Sequence, residues 1–197
     1  MRDLVATHTG LPCVLEENIR SLTLAEWTSG AARHFSDFIC VAVRSGVAAG
    51  VVLNGRLFTG SHGFAGKLGY LPLPSGAGVS RWKRLVEVVS EQALNVDGDN
   101  GGGLSDGRAR RAGAILGAQL AAMAILFDPQ AIVLAGALTR PGGPLWDPME
   151  RAFRRFVVPE IGDRVQLLPA RVGPFAAAIG ATRRCFETLY PTEPTDG

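Results

Sequence analysis

Cysteine, histidine and tyrosine are scarce in this chain of 197 residues, which has three Cys, three His and two Tyr. Cys13, Cys40 and Cys185 are odd in number, far apart and set among apolar neighbours. That pattern excludes a disulfide framework and reads as buried, reduced thiols. Excess charge is missing too. Twenty basic residues against eighteen acidic ones give a net charge of +2, a balance that argues against a polyanion-binding surface. The densest basic clusters, Arg108 to Arg111 and Arg151 to Arg155, fall within predicted helices and read as solvated faces. No apolar run approaches the roughly 18 residues of a membrane span, and the opening MRDLVATHTG has no signal-peptide core. The expectation is a cytoplasmic protein without membrane contact.

What the chain does have is enough apolar residue, 47%, to bury one sizeable core, and it reads as a single domain over 1–197. Val47 to Leu53 and Arg56 to Phe58 flank Asn54-Gly55, a dipeptide suited to a type I′ turn, and so predict an antiparallel hairpin. Phe38 to Val43 adds a buried strand before it. Leu22, Leu24, Ala25 and Trp27 after Asn18 predict a helix ending near Gly30, and Trp82 to Leu94 has helical spacing. Residues 93–107 read as a flexible loop and 191–197 as a disordered tail. A long small-residue helix from about Arg108 to Phe127 stops at Asp128-Pro129. Beyond it a strand at Ala131 to Ala135, a helix at Leu145 to Val157, a strand at Val165 to Leu168 and a helix at Phe175 to Leu189 imply parallel pairing.

After the hairpin, Gly60, Gly63, Gly66 and Gly69 keep the backbone free of Cβ atoms, for packing or for a ligand lying against main chain. The run Gly60-Ser61-His62-Gly63-Phe64-Ala65-Gly66-Lys67-Leu68-Gly69-Tyr70 resembles the G-x-x-G-x-A-G-E-x-G-H pattern of the ROK family of sugar kinases and sugar-responsive repressors. The resemblance extends upstream through Thr9-Gly10-Leu11-Pro12 and Leu24-Ala25-Glu26. Downstream it takes in Leu126-Phe127-Asp128-Pro129 and Val133-Leu134-Ala135-Gly136-Ala137-Leu138. It implies an α/β fold of the actin-like ATPase class, a ribonuclease-H-like lobe whose mixed sheet carries antiparallel hairpin strands followed by parallel ones. Only the second of the family's two lobes is represented, without its first-lobe phosphate loop or the repressors' helix-turn-helix.

The resemblance also assigns the site. The N-D-x-N segment that supplies the kinases' catalytic aspartate aligns with Glu17-Asn18-Ile19-Arg20, placing Asn18 at the base position. An amide cannot take the sugar hydroxyl proton, and losing a positioned base costs on the order of 10²- to 10⁴-fold in rate. Asn18 is alternatively a helix N-cap, and Glu17 is a neighbouring carboxylate that points elsewhere on a regular element. The sugar-binding Glu and His of the family become Lys67 and Tyr70. An ammonium donates only, so Lys67 either binds an acidic effector, such as a sugar acid or phosphosugar, with Arg44 and His62 nearby, or simply extends into water. Glu17, Asn18, Lys67 and Tyr70 are thus the candidate ligand-binding residues.

The family's zinc-binding cysteine loop is replaced by LPLPSGAGVSR at Leu71 to Arg81, so zinc is not expected. Asp97 to Gly101 lacks the carboxylate an EF-hand needs twelve positions on, where Arg108 stands. The kinases' G-T-G-x-G-x-G phosphate turn aligns with Arg44 to Gly50, making Ser45, Gly46 and Gly50, with Gly136 and Ala137 at the end of a parallel strand, the residues that would meet ATP if it binds. The favoured function is the effector-sensing and dimerisation lobe of a sugar-responsive transcriptional regulator without kinase activity, contacting DNA only through a segment outside this chain. The alternative is a diverged ATP-dependent sugar kinase. A homodimer is expected, because a lobe without its partner lobe exposes apolar surface.

Overall fold

The computed structural model describes residues 1–75, 81–94 and 104–190. Strand β1, Phe38–Val43, is apolar throughout and buried at every residue but Ala42, as a central strand covered on both sides must be. β2 (Val47–Leu53) pairs with it antiparallel, Phe38 opposite Val52. Asn54 and Gly55, at φ 51° and 65°, then turn the chain into β3 (Arg56–Phe58), the type I′ geometry that this dipeptide predicts.

β4 (Pro72–Ser75) and β5 (Arg81–Arg84) form a separate two-stranded ribbon. Later in the chain β6 (Ala131–Ala135) adds parallel to β1, and β7 (Gln166–Pro169) parallel to β6. The main sheet therefore runs β3-β2-β1-β6-β7, three antiparallel strands followed by parallel ones, as the sequence implies.

Period-two alternation divides the core. Ile39, Val41, Val43, Ile132 and Leu134 point to one face, where helices α5 (Asp106–Phe127) and α6 (Trp146–Phe156) cover them with Leu116, Leu120, Met149 and Phe153. Gly117 lets these helices touch, because a Cβ there would strike the Met149 carbonyl. Phe38, Cys40, Ala131, Val133 and Ala135 point to the other face, covered by α2 (Asn18–Ser29) and α8 (Ala176–Leu189). Gly180 of α8 lies directly on the Ser21 carbonyl of α2.

Three local expectations need correction. Trp82 to Leu94 is not one helix: Trp82 lies in β5, followed by short helices α3 (Val86–Val89) and α4 (Glu91–Leu94). Leu85 and Val89, four apart and buried, supply the helical spacing, whereas Trp82 stands 63% exposed. Pro72 and Pro74 concealed the partner strand, since proline cannot donate to a ladder and is tolerated only at such an edge. The N-terminal helix α1 (Arg2–Thr9) has no counterpart in the sequence reading; it is short and buries no residue. α5 is long and apolar enough by composition to cross a membrane, contrary to the expectation that no segment approaches that length; its buried side, from Ala109 to Ala124, packs into the core. The other helices of the sequence reading appear within a residue or two of their predicted limits, and the short α7 (Pro159–Gly162) is an addition to them. Asp97 to Gly101, most of the predicted 93–107 loop and the 191–197 tail lie outside the described residues.

Candidate functional site

The carboxyl ends of β1 and β6 open onto two adjoining clefts, the place where open α/β sheets bind ligands. One, of about 380 Å³, is lined by Glu17, Asn18, Ile19 and Leu22 of α2 and its cap, by Arg44, Ser45 and Gly46 of the β1–β2 turn, and by Lys67. The other, of about 530 Å³, is lined by Gly136, Ala137 and Arg140 after β6, by Pro169 and Ala170 at the end of β7, and by Glu26 and Glu91. Leu22 and Arg44 belong to both, so the arginine forms part of the wall between them.

Of the candidate ligand-binding residues, the fold brings Glu17, Asn18 and Lys67 together. Glu17, not Asn18, is the N-cap of α2, in extended conformation at φ −69° and ψ 140°, and its side chain makes no capping hydrogen bond. This removes the capping role from Asn18 and explains why two adjacent residues share one cleft: the chain turns between them, so the alternation of regular elements does not apply. Lys67 does not extend alone into water. Its Nζ donates to Glu17 Oε1 at 2.7 Å, with 44% of the lysine side chain and 31% of the glutamate side chain exposed. The cation and the carboxylate therefore satisfy each other within the cleft. Tyr70 faces elsewhere, its ring beneath the Arg84 guanidinium at 5.1 Å, and His62 is exposed and lines neither cleft.

On the nucleotide side, Ser45 and Gly46 line the first cleft and Gly136 and Ala137 the second. Gly136, at φ 130°, packs on the Val43 carbonyl, where a side chain would collide. Gly50 is buried within β2 and faces Thr23 of α2, whose hydroxyl occupies the space a Cβ would need. Its absent side chain serves helix packing. Gly66 and Gly69 likewise pack on the backbone of β2, and Ala49 N–H donates to the Gly66 carbonyl at 2.8 Å; this positions Lys67 between them.

A buried ionic network behind the cleft was not evident in the sequence. Glu16, with only 8% of its side chain exposed, pairs with Arg20 at 3.4 Å and with Arg184 of α8 at 3.1 Å. Arg20 also donates to the Gly63 carbonyl, and its Nε is buried without a partner among the described residues. These contacts join the start of α2, the glycine-rich loop and α8. The four-residue step from Glu16 to Arg20 was the only hint that sequence could provide.

Glu26 is buried as well, and its two oxygens accept hydrogen bonds from the backbone N–H groups of Ala31, Arg171 and Val172 at 2.8 to 2.9 Å. Burial pushes the nearby Cys40 thiol far up, the Glu26 charge adds to this, and the opposing Thr23 hydrogen bond and Arg44 charge are weaker. Cys40 is thus an inert core group, whereas Cys13 and Cys185 are half-buried rather than fully so. Among the described residues, no three His, Cys, Asp or Glu side chains gather as a metal site would require.

This arrangement has known relatives. A glucokinase from Halalkalibacterium halodurans is 24% identical over 215 residues, covering 91% of this chain and 65% of that protein. The transcriptional regulator NagC of Escherichia coli is 29% identical over 156 residues, 64% of this chain and 38% of its own length. The chain thus spans less than two thirds of either relative. The crystal structure of a ROK hexokinase from Thermus thermophilus superposes with a TM-score of 0.78 at 28% identity, covering 95% of this chain and 70% of that one. Its relationship to sugar kinases identifies the sheet and its helices as an actin-like ATPase lobe. The ROK family model matches residues 1–101 and 79–184, and the chain belongs to the ROK family.

Proposed function

We propose that this lobe is the effector-sensing and dimerisation part of a ROK-type, sugar-responsive transcriptional regulator and has no kinase activity. The observation that carries the reading is the composition of the first cleft. Asn18, at the position the family's kinases give to the catalytic aspartate, is an amide, and Glu17, the one carboxylate lining that cleft among the described residues, is held by Lys67 at 2.7 Å. A general base must be free to accept a proton within hydrogen-bond reach of it. Here the amide cannot accept one and the carboxylate is already paired with an ammonium.

The cleft remains suited to a polyhydroxylated ligand, with the Asn18 amide, the Ser45 hydroxyl and the Glu17–Lys67 pair offering donors and acceptors on facing walls. Zinc has no part in this reading and ATP no required one. Exposed Phe58 and Leu126 flank an apolar groove between β2, the glycine-rich loop and α5, and such a surface favours a homodimer. DNA would be contacted through a segment outside these residues, and a regulator of this kind acts in the cytoplasm.

The kinase alternative draws support from the second cleft, where Gly136 and Ala137 form an open turn at the end of β6. Phosphoryl transfer from ATP to a panel of hexoses and N-acetylhexosamines separates the two readings. The regulator reading expects sugar binding by calorimetry without sugar-dependent ADP release; turnover that disappears in Glu17→Gln would replace it with the kinase. Light scattering tests the dimer, and a monomeric mass at micromolar concentration would remove it.

A further inference from the structure

We propose that the first cleft takes a sugar acid, with the ligand's carboxylate on Arg44. This deepens the effector reading above and rests on it. Lys67 would be the obvious anion anchor from sequence, but Glu17 neutralises it. Arg44 is the remaining cation of that cleft, and among the described residues its guanidinium has neither an ion pair nor a side-chain hydrogen bond. It stands on the shared wall, exposed to solvent and anchored by its own backbone: its N–H donates to the Gly46 carbonyl at 2.9 Å, and its carbonyl accepts from Glu91 N–H at 2.9 Å.

Glu26, Glu91 and Arg140 line the second cleft, beyond the arginine. Glu26 is held by three backbone donors, and neither it nor Glu91 comes within 4 Å of the Arg44 guanidinium. A guanidinium presents parallel N–H donors that match a carboxylate in bidentate fashion. With the Glu17–Lys67 pair balanced, a single unpaired positive charge suits a monoanion better than a phosphate dianion. The hydroxyls of the ligand would meet Asn18, Ser45 and the second oxygen of Glu17, which makes no hydrogen bond among the described residues.

The test is calorimetric titration of the 197-residue chain with matched pairs, D-glucose against D-glucuronate and D-galactose against D-galacturonate, and with glucose 6-phosphate. At least one acid is expected to bind about tenfold or more tightly than its neutral partner, with the advantage shrinking as salt rises. Arg44→Ala should abolish that advantage, while Arg56→Ala, on the exposed β3, should leave it intact. Neutral sugars binding as tightly as the acids would overturn the inference and leave the effector reading standing. Preference for glucose 6-phosphate, or full acid binding by Arg44→Ala, would overturn it equally. Binding of none of the five sugars would remove both the inference and the reading beneath it.

Discussion

On one face of the five-stranded sheet, α5 and α6 meet it with side chains such as Leu116, Leu120, Met149 and Phe153, all fully buried. On the other face α2 is buried from Ile19 to Glu26, and it takes Arg20, Ser21, Thr23 and Glu26 inside with it, four of the six buried polar residues among those described. Burying such groups costs free energy unless each is hydrogen-bonded, and here Glu26 is tied to three backbone N–H groups and Arg20 to Glu16 and the Gly63 carbonyl, with the Arg20 Nε left unmatched among the described residues. The first face holds the lobe together through area removed from water. The second spends part of its stability on holding the start of α2, the glycine-rich loop and α8 in a fixed relation around the cleft. Scaffold and site are therefore two sides of the same five strands.

The difference can be sharpened by removing one group from each face. Phe153→Ala should have the largest effect, about 3–5 kcal/mol in urea unfolding, because a large cavity opens where α6 meets the sheet and its neighbours cannot collapse into it. The prediction for the cleft is that ligand affinity of the folded fraction stays unchanged. A loss of affinity matching the loss of stability would mean that the two faces are coupled and that the division drawn here is wrong.

Glu26 probes the opposite face. Glu26→Ala strands the backbone N–H groups of Ala31, Arg171 and Val172 and should cost about 2–3 kcal/mol. Glu26→Gln keeps one acceptor oxygen, which can still serve Arg171 and Val172 while Ala31 loses its partner, so about 1 kcal/mol is expected. Equal losses in the two variants would show that burial of the charge, not satisfaction of the N–H groups, dominates at this site. Unlike Phe153→Ala, both changes should also disturb the second cleft, since Glu26 lines it.

The same contrast decides what could be read from sequence. The strands of the main sheet, the Asn54-Gly55 turn and the helices of the apolar face are periodic, and each was placed within a few residues. α2 was found by its apolar spacing, but its buried ionic contacts join residues up to 168 positions apart, as Glu16 and Arg184 do, and no local pattern encodes such a pairing. Lys67 and Glu17 are a similar case, fifty positions apart. The family pattern placed both residues at the cleft but gave no sign that they bind each other. Tyr70 and Gly50 sat in the right motif, yet one stacks on Arg84 and the other packs on Thr23. Motif position thus carries over more reliably than side-chain direction.

The smallest effect belongs to the hairpin end of the sheet, where polar contacts are nearer water. Asp37, just before β1, accepts from Asn54 N–H at 2.7 Å and from the Ser36 hydroxyl at 2.6 Å, and the first of these is the main reason its carboxyl lies below the usual carboxylate range. A carboxylate whose folded value is depressed stabilises the fold above its unfolded value and loses that contribution as pH falls through the folded one. Melting temperature should therefore fall as pH drops below about 4, and Asp37→Asn should flatten part of that slope while leaving the melting temperature at pH 7 only slightly lower. An unchanged acid slope would show that the Asn54 and Ser36 hydrogen bonds to Asp37 do not set the pH dependence of the fold.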